Sequence, residues 1–241
     1  MRTFFKGIKK LIVLILVIII FVVGYFVKDG YDLYKAAIDE MPLEARVKNL
    51  KEMDNYTKLD DISKYYLDGL IAVEDKRFYE HHGVDIYAIG GAALYIFQNQ
   101  KVGFGASTIS QQLAKNLVLD QRKKLVRKIA EIFATIDIEK NYSKDEILEM
   151  YANISYFGDG YYGIGNASKG YFGKEPKELD LNEATLLAGL PNAPSVYQLS
   201  NNNDGTYLRQ IKVIQSMIKN GTLDQNEGDV LIEKIKNERG I

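Results

Sequence analysis

The 241-residue chain has no cysteine, no tryptophan, four prolines, two histidines and a net charge of −1. Without cysteine there is no disulfide, no thiolate nucleophile and no zinc–thiolate site. The two histidines are adjacent, at 81 and 82, and cannot set several imidazoles on one helix face, so any metal must be held mainly by oxygen. The near-neutral charge gives no field that would gather nucleic acid. No run reads as a set of paired strands, and there is no internal repeat or low-complexity tail. The expectation is a mainly α-helical protein, long enough for one domain with a real core.

One long apolar run is present. Residues 11–27, LIVLILVIIIFVVGYFV, carry no charge. At about 1.5 Å per residue they extend roughly 26 Å, close to the ~30 Å hydrocarbon thickness of a bilayer. A secretory signal would have a shorter apolar segment and a small-residue cleavage site. Here Lys28-Asp29-Gly30-Tyr31 follows instead. An uncleaved transmembrane helix is therefore expected. Arg2, Lys6, Lys9 and Lys10 precede it without an acid, whereas the other flank mixes Lys28 and Lys35 with Asp29 and Asp32. The positive-inside rule puts the N-terminal tail, residues 1–10, in the cytoplasm and residues 28–241 outside.

The rest divides into a neck, 28–60, and a helical domain, 61–241. Within the neck, 31–40 reads as a short helix ending before Pro42, and 43–60 as a β-hairpin or an irregular segment. A helix from Asp61 delivers Glu74 to its end. Residues 85–98 are apolar nearly all round, either a buried helix or a segment dipping into a membrane surface. Ser107 is positioned as a helix N-cap. A helix over 122–140 carries Leu125, Ile129, Ile132, Phe133 and Ile136 as a core stripe. Capping-box spacing recurs at Ser143/Glu146, Asp180/Glu183 and Asp224/Glu227. Asn220-Gly221 separates two final helices, near 206–219 and 226–238.

The chemistry concentrates in a few blocks. Glu74 follows Ile71, Ala72 and Val73, and a carboxylate desolvated by apolar neighbours is suited to proton transfer. An ordinary helix-end acid paired with Lys76 or Arg77 is the plainer reading. GASTISQQLAKN, residues 105–116, supplies hydroxyls at Ser107 and Thr108, amides at Gln111 and Gln112 and an ammonium at Lys115. That set suits a polyanionic, sugar-bearing substrate. RKKLVRK, residues 122–128, holds five cations in seven positions, among them Lys123, Arg127 and Lys128. Arg127 and Glu131 are i,i+4 neighbours, so a surface ion pair worth a few tenths of a kcal/mol is the simplest role for Glu131.

These blocks resemble the motifs of the peptidoglycan glycosyltransferases, the lysozyme-like domain of class A penicillin-binding proteins and their monofunctional relatives. The first motif is read at Glu74, Asp75, Phe78, His82 and Gly83, and the second matches 105–116 at every fixed position. Arg127, Lys128 and Glu131 match the third. Lys144, Ile147, Leu148, Glu149, Tyr151 and Asn153 match a fourth, and Glu183, Gly189, Leu190, Pro191, Pro194 and Tyr197 a fifth. The resemblance covers roughly residues 60–200. It implies a lysozyme-like, bilobal, mainly α fold. It implies polymerisation of lipid II with inversion, with Glu74 as general base and Glu131 positioning cations or a metal. Asp75, Ser107, Thr108, Gln111, Gln112, Lys115, Lys123, Arg127 and Lys128 would serve the substrate, and His82 and Glu149 the structure. A divalent cation, Mg2+, is implied near the diphosphate. So are a bacterial cell-membrane location, a growing lipid-linked glycan strand as co-substrate, and other cell-wall synthesis proteins as companions. Ser216-Met217-Ile218-Lys219 has transpeptidase-like spacing but lies in an amphipathic helix and is read as chance. The alternatives are a lysozyme-like hydrolase or lytic enzyme, which needs no diphosphate-binding cations, and a catalytically silent membrane scaffold.

Overall fold

The computed structural model describes residues 2–99, 107–119 and 124–241, and among these it is helical, with a single isolated bridge between Tyr156 and Tyr162. Helix α1 (Arg2–Glu40) runs unbroken through the apolar segment and past it. The expected interruption near Lys28 is absent. No proline occurs before Pro42, and Lys28–Asp32 and Lys35–Asp39 are i,i+4 ion pairs along the helix. The apolar part is long enough to cross a membrane, and none of its described residues is buried.

The neck is not a hairpin. Residues after Pro42 form α2 (Leu43–Lys51), whose Leu43, Val47 and Leu50 enter the main core at helical spacing. Then come α3 (Lys64–Glu74), α4 (Ile86–Asn99), α5 (Ile109–Val118), α6 (Lys124–Asn141) and α7 (Lys144–Ile154). They are followed by α8 (Ile164–Phe172), α9 (Leu181–Gly189), the short α10 (Pro194–Tyr197), α11 (Asp204–Lys219) and α12 (Gln225–Arg239). Tyr66, Leu70, Phe78, Leu113, Ile138, Tyr151 and Val213 meet in one continuous core.

The caps are as the sequence suggests at two of three places. Ser143/Glu146 and Asp180/Glu183 are reciprocal capping boxes. Asp224 caps α12 by accepting the Asn226 and Glu227 N–H groups, without the return bond. At α5 the cap is one residue later than expected: Thr108, not Ser107, accepts the Gln111 N–H, and Gln111 returns the bond.

Two apolar patterns land differently from their sequence reading. The stripe on α6 is not core: Leu125 is 59% exposed and Ile136 54%. The buried face carries Ala130, Glu131, Ala134, Thr135 and Ile138, small residues for the most part. Helix α6 has two partners, the core on one side and α1 on the other; of the stripe, Ile129 and Phe133 meet α1, and Leu125, Ile132 and Ile136 are exposed. Phe133 packs on Tyr31 and Tyr34 of α1, ring centroids 5.3 and 6.2 Å apart. Helix α4 buries no residue, which removes the buried-helix alternative for 85–98. Ile86, Tyr87, Leu94 and Phe97 are all more than half exposed. An isolated apolar helix on a surface is a membrane- or partner-facing feature.

Candidate functional site

Glu74 is the last residue of α3, where the helix dipole presents its negative end. Its environment is not the apolar one the sequence suggested. Arg209 of α11 donates from Nη2 to Oε1, both side chains being 8% exposed, and Gln112 Nε2 donates to Oε2 at 2.9 Å. Tyr151 fixes which way the Gln112 amide points. Its hydroxyl donates to Gln112 Oε1 at 2.9 Å, leaving the NH2 group for Glu74. Burial pushes the Tyr151 hydroxyl well above its ordinary range, so it remains a donor. The result is a carboxylate paired with a guanidinium and oriented by a two-step hydrogen-bond chain.

Arg209 was not found from sequence. It lies 135 residues from its partner. A signal exists, though: Arg209, Val213 and Met217 share one stripe of α11, and the last two are fully buried. A charge in line with core residues calls for a buried partner.

Asp75 supports the loop after α3. Its carboxylate accepts the Ile109 N–H at the start of α5 (3.0 Å) and is bonded by His81 Nε2 (2.9 and 3.0 Å). Burial raises its pKa, against the lowering effect of His81 and the Ile109 N–H. The structural histidine is therefore His81, not the expected His82. Gly83, at φ +87°, could not be replaced cheaply: a Cβ there would lie 2.7 Å from Thr135 Cγ2. Its carbonyl accepts the Thr108 hydroxyl at 2.6 Å. Thr108 and Gln111 are thus engaged in joining this loop to α5 and capping it.

Glu131 is buried, and its partner is Lys128, not Arg127. Lys128 Nζ also donates to the Ser107 hydroxyl at 2.8 Å. The surface Arg127–Glu131 pair is not formed. Glu149 is structural: it accepts the Tyr56 hydroxyl (2.7 Å) and the Leu59 N–H (2.8 Å), fastening the segment ahead of α3. Lys123 lies outside the described residues.

Two recesses meet at Glu74. One, of about 320 Å³, is lined by Glu74, Ser107, Gln112, Lys115, Glu131, Asn192, Arg209 and Lys212, and is rich in cations and amides. The other, of about 420 Å³, runs from Glu74 and Asp75 past Arg77, Tyr87 and Thr108 to Ser216 and Lys219. Val73, Glu74 and Ser107 belong to both walls. Asp75 and Thr108 line only the second, and Arg127 lines neither. The Ser216 hydroxyl donates to the Lys212 carbonyl (2.8 Å), so it is not set up as a nucleophile by Lys219. Among the described residues no group of three acids or histidines could hold a metal unaided. A Mg2+ ion shared with substrate phosphates needs only one or two protein carboxylates, and Glu131 stands on the cation-lined wall to supply one.

The described residues thus form an all-α domain with a buried, paired carboxylate on the wall between a cation-lined recess and a second one. The transglycosylase family profile matches residues 42–218. Penicillin-binding protein 1A of Neisseria flavescens is 41% identical over 187 residues, covering 77% of this chain and 23% of the relative. Penicillin-binding protein 2D of Bacillus subtilis (strain 168) is 43% identical over 186 residues, 77% of this chain and 27% of the relative. For penicillin-binding protein 1A of Escherichia coli (strain K12) the figures are 44% over 171 residues, 71% and 20%. The chain belongs to the transglycosylase family, the peptidoglycan glycosyltransferase domain of the class A penicillin-binding proteins. Its match spans about a quarter of the length of these relatives.

Proposed function

We propose that the protein is a membrane-anchored peptidoglycan glycosyltransferase that polymerises lipid II into β-1,4 glycan strands. The observation that carries the reading is the position of Glu74 on the wall shared by the two recesses. The cation-lined recess receives the donor, the growing lipid-linked strand, by its diphosphate. The second receives the acceptor lipid II. Glu74 takes the proton from the 4-hydroxyl of the acceptor's N-acetylglucosamine. That oxygen attacks the anomeric carbon of the donor's N-acetylmuramic acid from the face opposite the diphosphate. The bond to undecaprenyl diphosphate breaks, the α-linkage becomes β, and the proton stays on Glu74 until solvent removes it.

Lys115, on the recess wall, meets the charge developing on the leaving diphosphate, and Lys128, which lines neither recess but is bonded to Ser107 and Glu131 of that wall, adds its positive charge from behind. Ser107 and Gln112 contribute hydrogen bonds. Glu131 holds the Lys128 ammonium in place and, together with the diphosphate, would hold a Mg2+ ion, which when bound supplies further charge neutralisation. Helix α1 anchors the chain with its N-terminus in the cytoplasm. The exposed apolar face of α4 rests on the outer surface of the same membrane, where companion cell-wall synthesis proteins would also be met.

The test is turnover of lipid II by wild type and Glu74→Gln, with products sized. Wild type makes long strands, whereas a hydrolase would make small fragments. The amide keeps the shape and removes the base, a loss of about 10²–10⁴-fold. Near-wild-type polymerisation by a folded Glu74→Gln protein overturns the assignment.

A further inference from the structure

The contact between α1 and α6 bears on where the site stands above the membrane. Gly30 is buried against Ile129, so closely that a Cβ would lie 2.4 Å from Ile129 Cγ2. One turn further along, Tyr31 and Tyr34 enclose Phe133. Beyond that the Tyr34 hydroxyl donates to Asp137 at 2.7 Å. Successive contacts climb both helices in the same direction, so α1 and α6 run parallel here, and the start of α6 lies at the membrane end.

The heights follow from helix geometry. Gly30 is three residues beyond Val27, the last apolar residue of the span, or about 4.5 Å. Glu131 is two residues above Ile129, about 3 Å further. The Lys128–Glu131 pair therefore stands within about 8 Å of the edge of the apolar span, inside a headgroup layer roughly 5–8 Å deep. Leu125, one turn below Ile129 and 59% exposed, falls at the level of Phe26, where hydrocarbon rather than water would cover it. Because α1 is one unbroken helix, its apolar length and the height of the site are rigidly linked.

We propose that α1 is a ruler as well as an anchor. Its docking on α6 through Gly30, a positioning residue, sets the Lys128–Glu131 pair at the depth of the lipid-borne diphosphate. The transfer rate then depends on the match between residues 11–27 and bilayer thickness. This rests on the transferase reading above.

The experiment is lipid II polymerisation by the full chain in vesicles of monounsaturated phosphatidylcholines with hydrocarbon cores from roughly 23 to 35 Å. Wild type is expected to peak near ~26 Å, the length of its apolar run, and to fall roughly tenfold at a ~6 Å mismatch. A four-leucine insertion between Ile18 and Ile19 adds about 6 Å of helix and leaves the docked face of α1 unchanged. It should move the peak to correspondingly thicker bilayers. Gly30→Ile should flatten the profile with little change in the best rate, and adding Ile129→Ala should restore the peak. If Gly30→Ile does not fold, the insertion alone decides. Polymerisation whose peak ignores the insertion overturns the ruler and leaves the transferase reading standing. No polymerisation in any bilayer overturns both.

Discussion

Replacing Arg209 with methionine tests the arrangement around the Glu74 carboxylate. Methionine keeps most of the stem and removes the guanidinium, so Glu74 loses its ion-pair partner and, among the described residues, retains the Gln112 hydrogen bond. Stranding a fully sealed charge costs about 3–5 kcal/mol. Both side chains are 8% exposed, but Glu74 opens onto two recesses that water can enter, so about 2 kcal/mol is the appropriate figure. For a domain of this size that lowers Tm by about 4–8 °C. In a Glu74→Gln background no carboxylate is left to strand, and the same substitution should cost under ~1 kcal/mol. The assay is thermal unfolding of the four proteins of this cycle in one detergent, with lipid II turnover of the single Arg209→Met variant, expected to fall at least about tenfold. Equal Tm losses in both backgrounds would refute the pairing argument. So would an Arg209→Met protein with unchanged melting and turnover.

Glu131→Ala should cut turnover by roughly tenfold or more while costing under ~1 kcal/mol of stability, since Lys128 is 44% exposed. Unchanged turnover would reduce Glu131 to a packing role. Ile89→Asp with Leu94→Asp on α4 should abolish liposome flotation of a chain lacking residues 1–27 without lowering its Tm, because neither side chain is buried. A large Tm loss would show that α4 packs on the domain. Ser143→Ala should cost about 1 kcal/mol, read as a Tm shift of ~2–4 °C. Ser143 holds the Glu146 carboxyl below its ordinary value near 4.5, chiefly through the backbone N–H. That contribution is present above the ordinary value and is lost as pH falls through the lowered one. A pH–stability curve through the acid range that is flat at this step would contradict it.

Much of the helix order was legible because it is written locally. Capping pairs such as Ser143/Glu146 and the Asn220-Gly221 stop lie within a few residues of what they control. Glu74, Gln112 and Lys115 could be placed from two short motifs, and all three line the same recess. What could not be read depends on distant partners. Arg209 looks like any helix cation until Val213 and Met217 are seen on its stripe. The burial of Glu131 is decided by a face of α6 whose alanines give no hydrophobic signal, while the conspicuous Leu125 and Ile136 face outward. Thr108 rather than Ser107 begins α5 because the Gly83 carbonyl and Gln111 are there to bond it. Likewise His81 rather than its neighbour serves the fold because Asp75 is within its reach.

The lacing of the loop after α3 to the start of α5 affects how mutants of this protein should be read. Asp75 reaches Ile109, and Thr108 reaches Gly83, so the segment that follows Glu74 and the helix bearing Gln112 and Lys115 are sewn together at two points. Damage at either stitch moves both halves of the site at once. A screen scored only by product would therefore rank Asp75, Thr108 and His81 beside Glu74, although none of the three need touch a reacting atom. Their effects should also be strongly epistatic. Once one stitch is cut, cutting the other adds little, whereas loss of Glu74 is equally severe in every background.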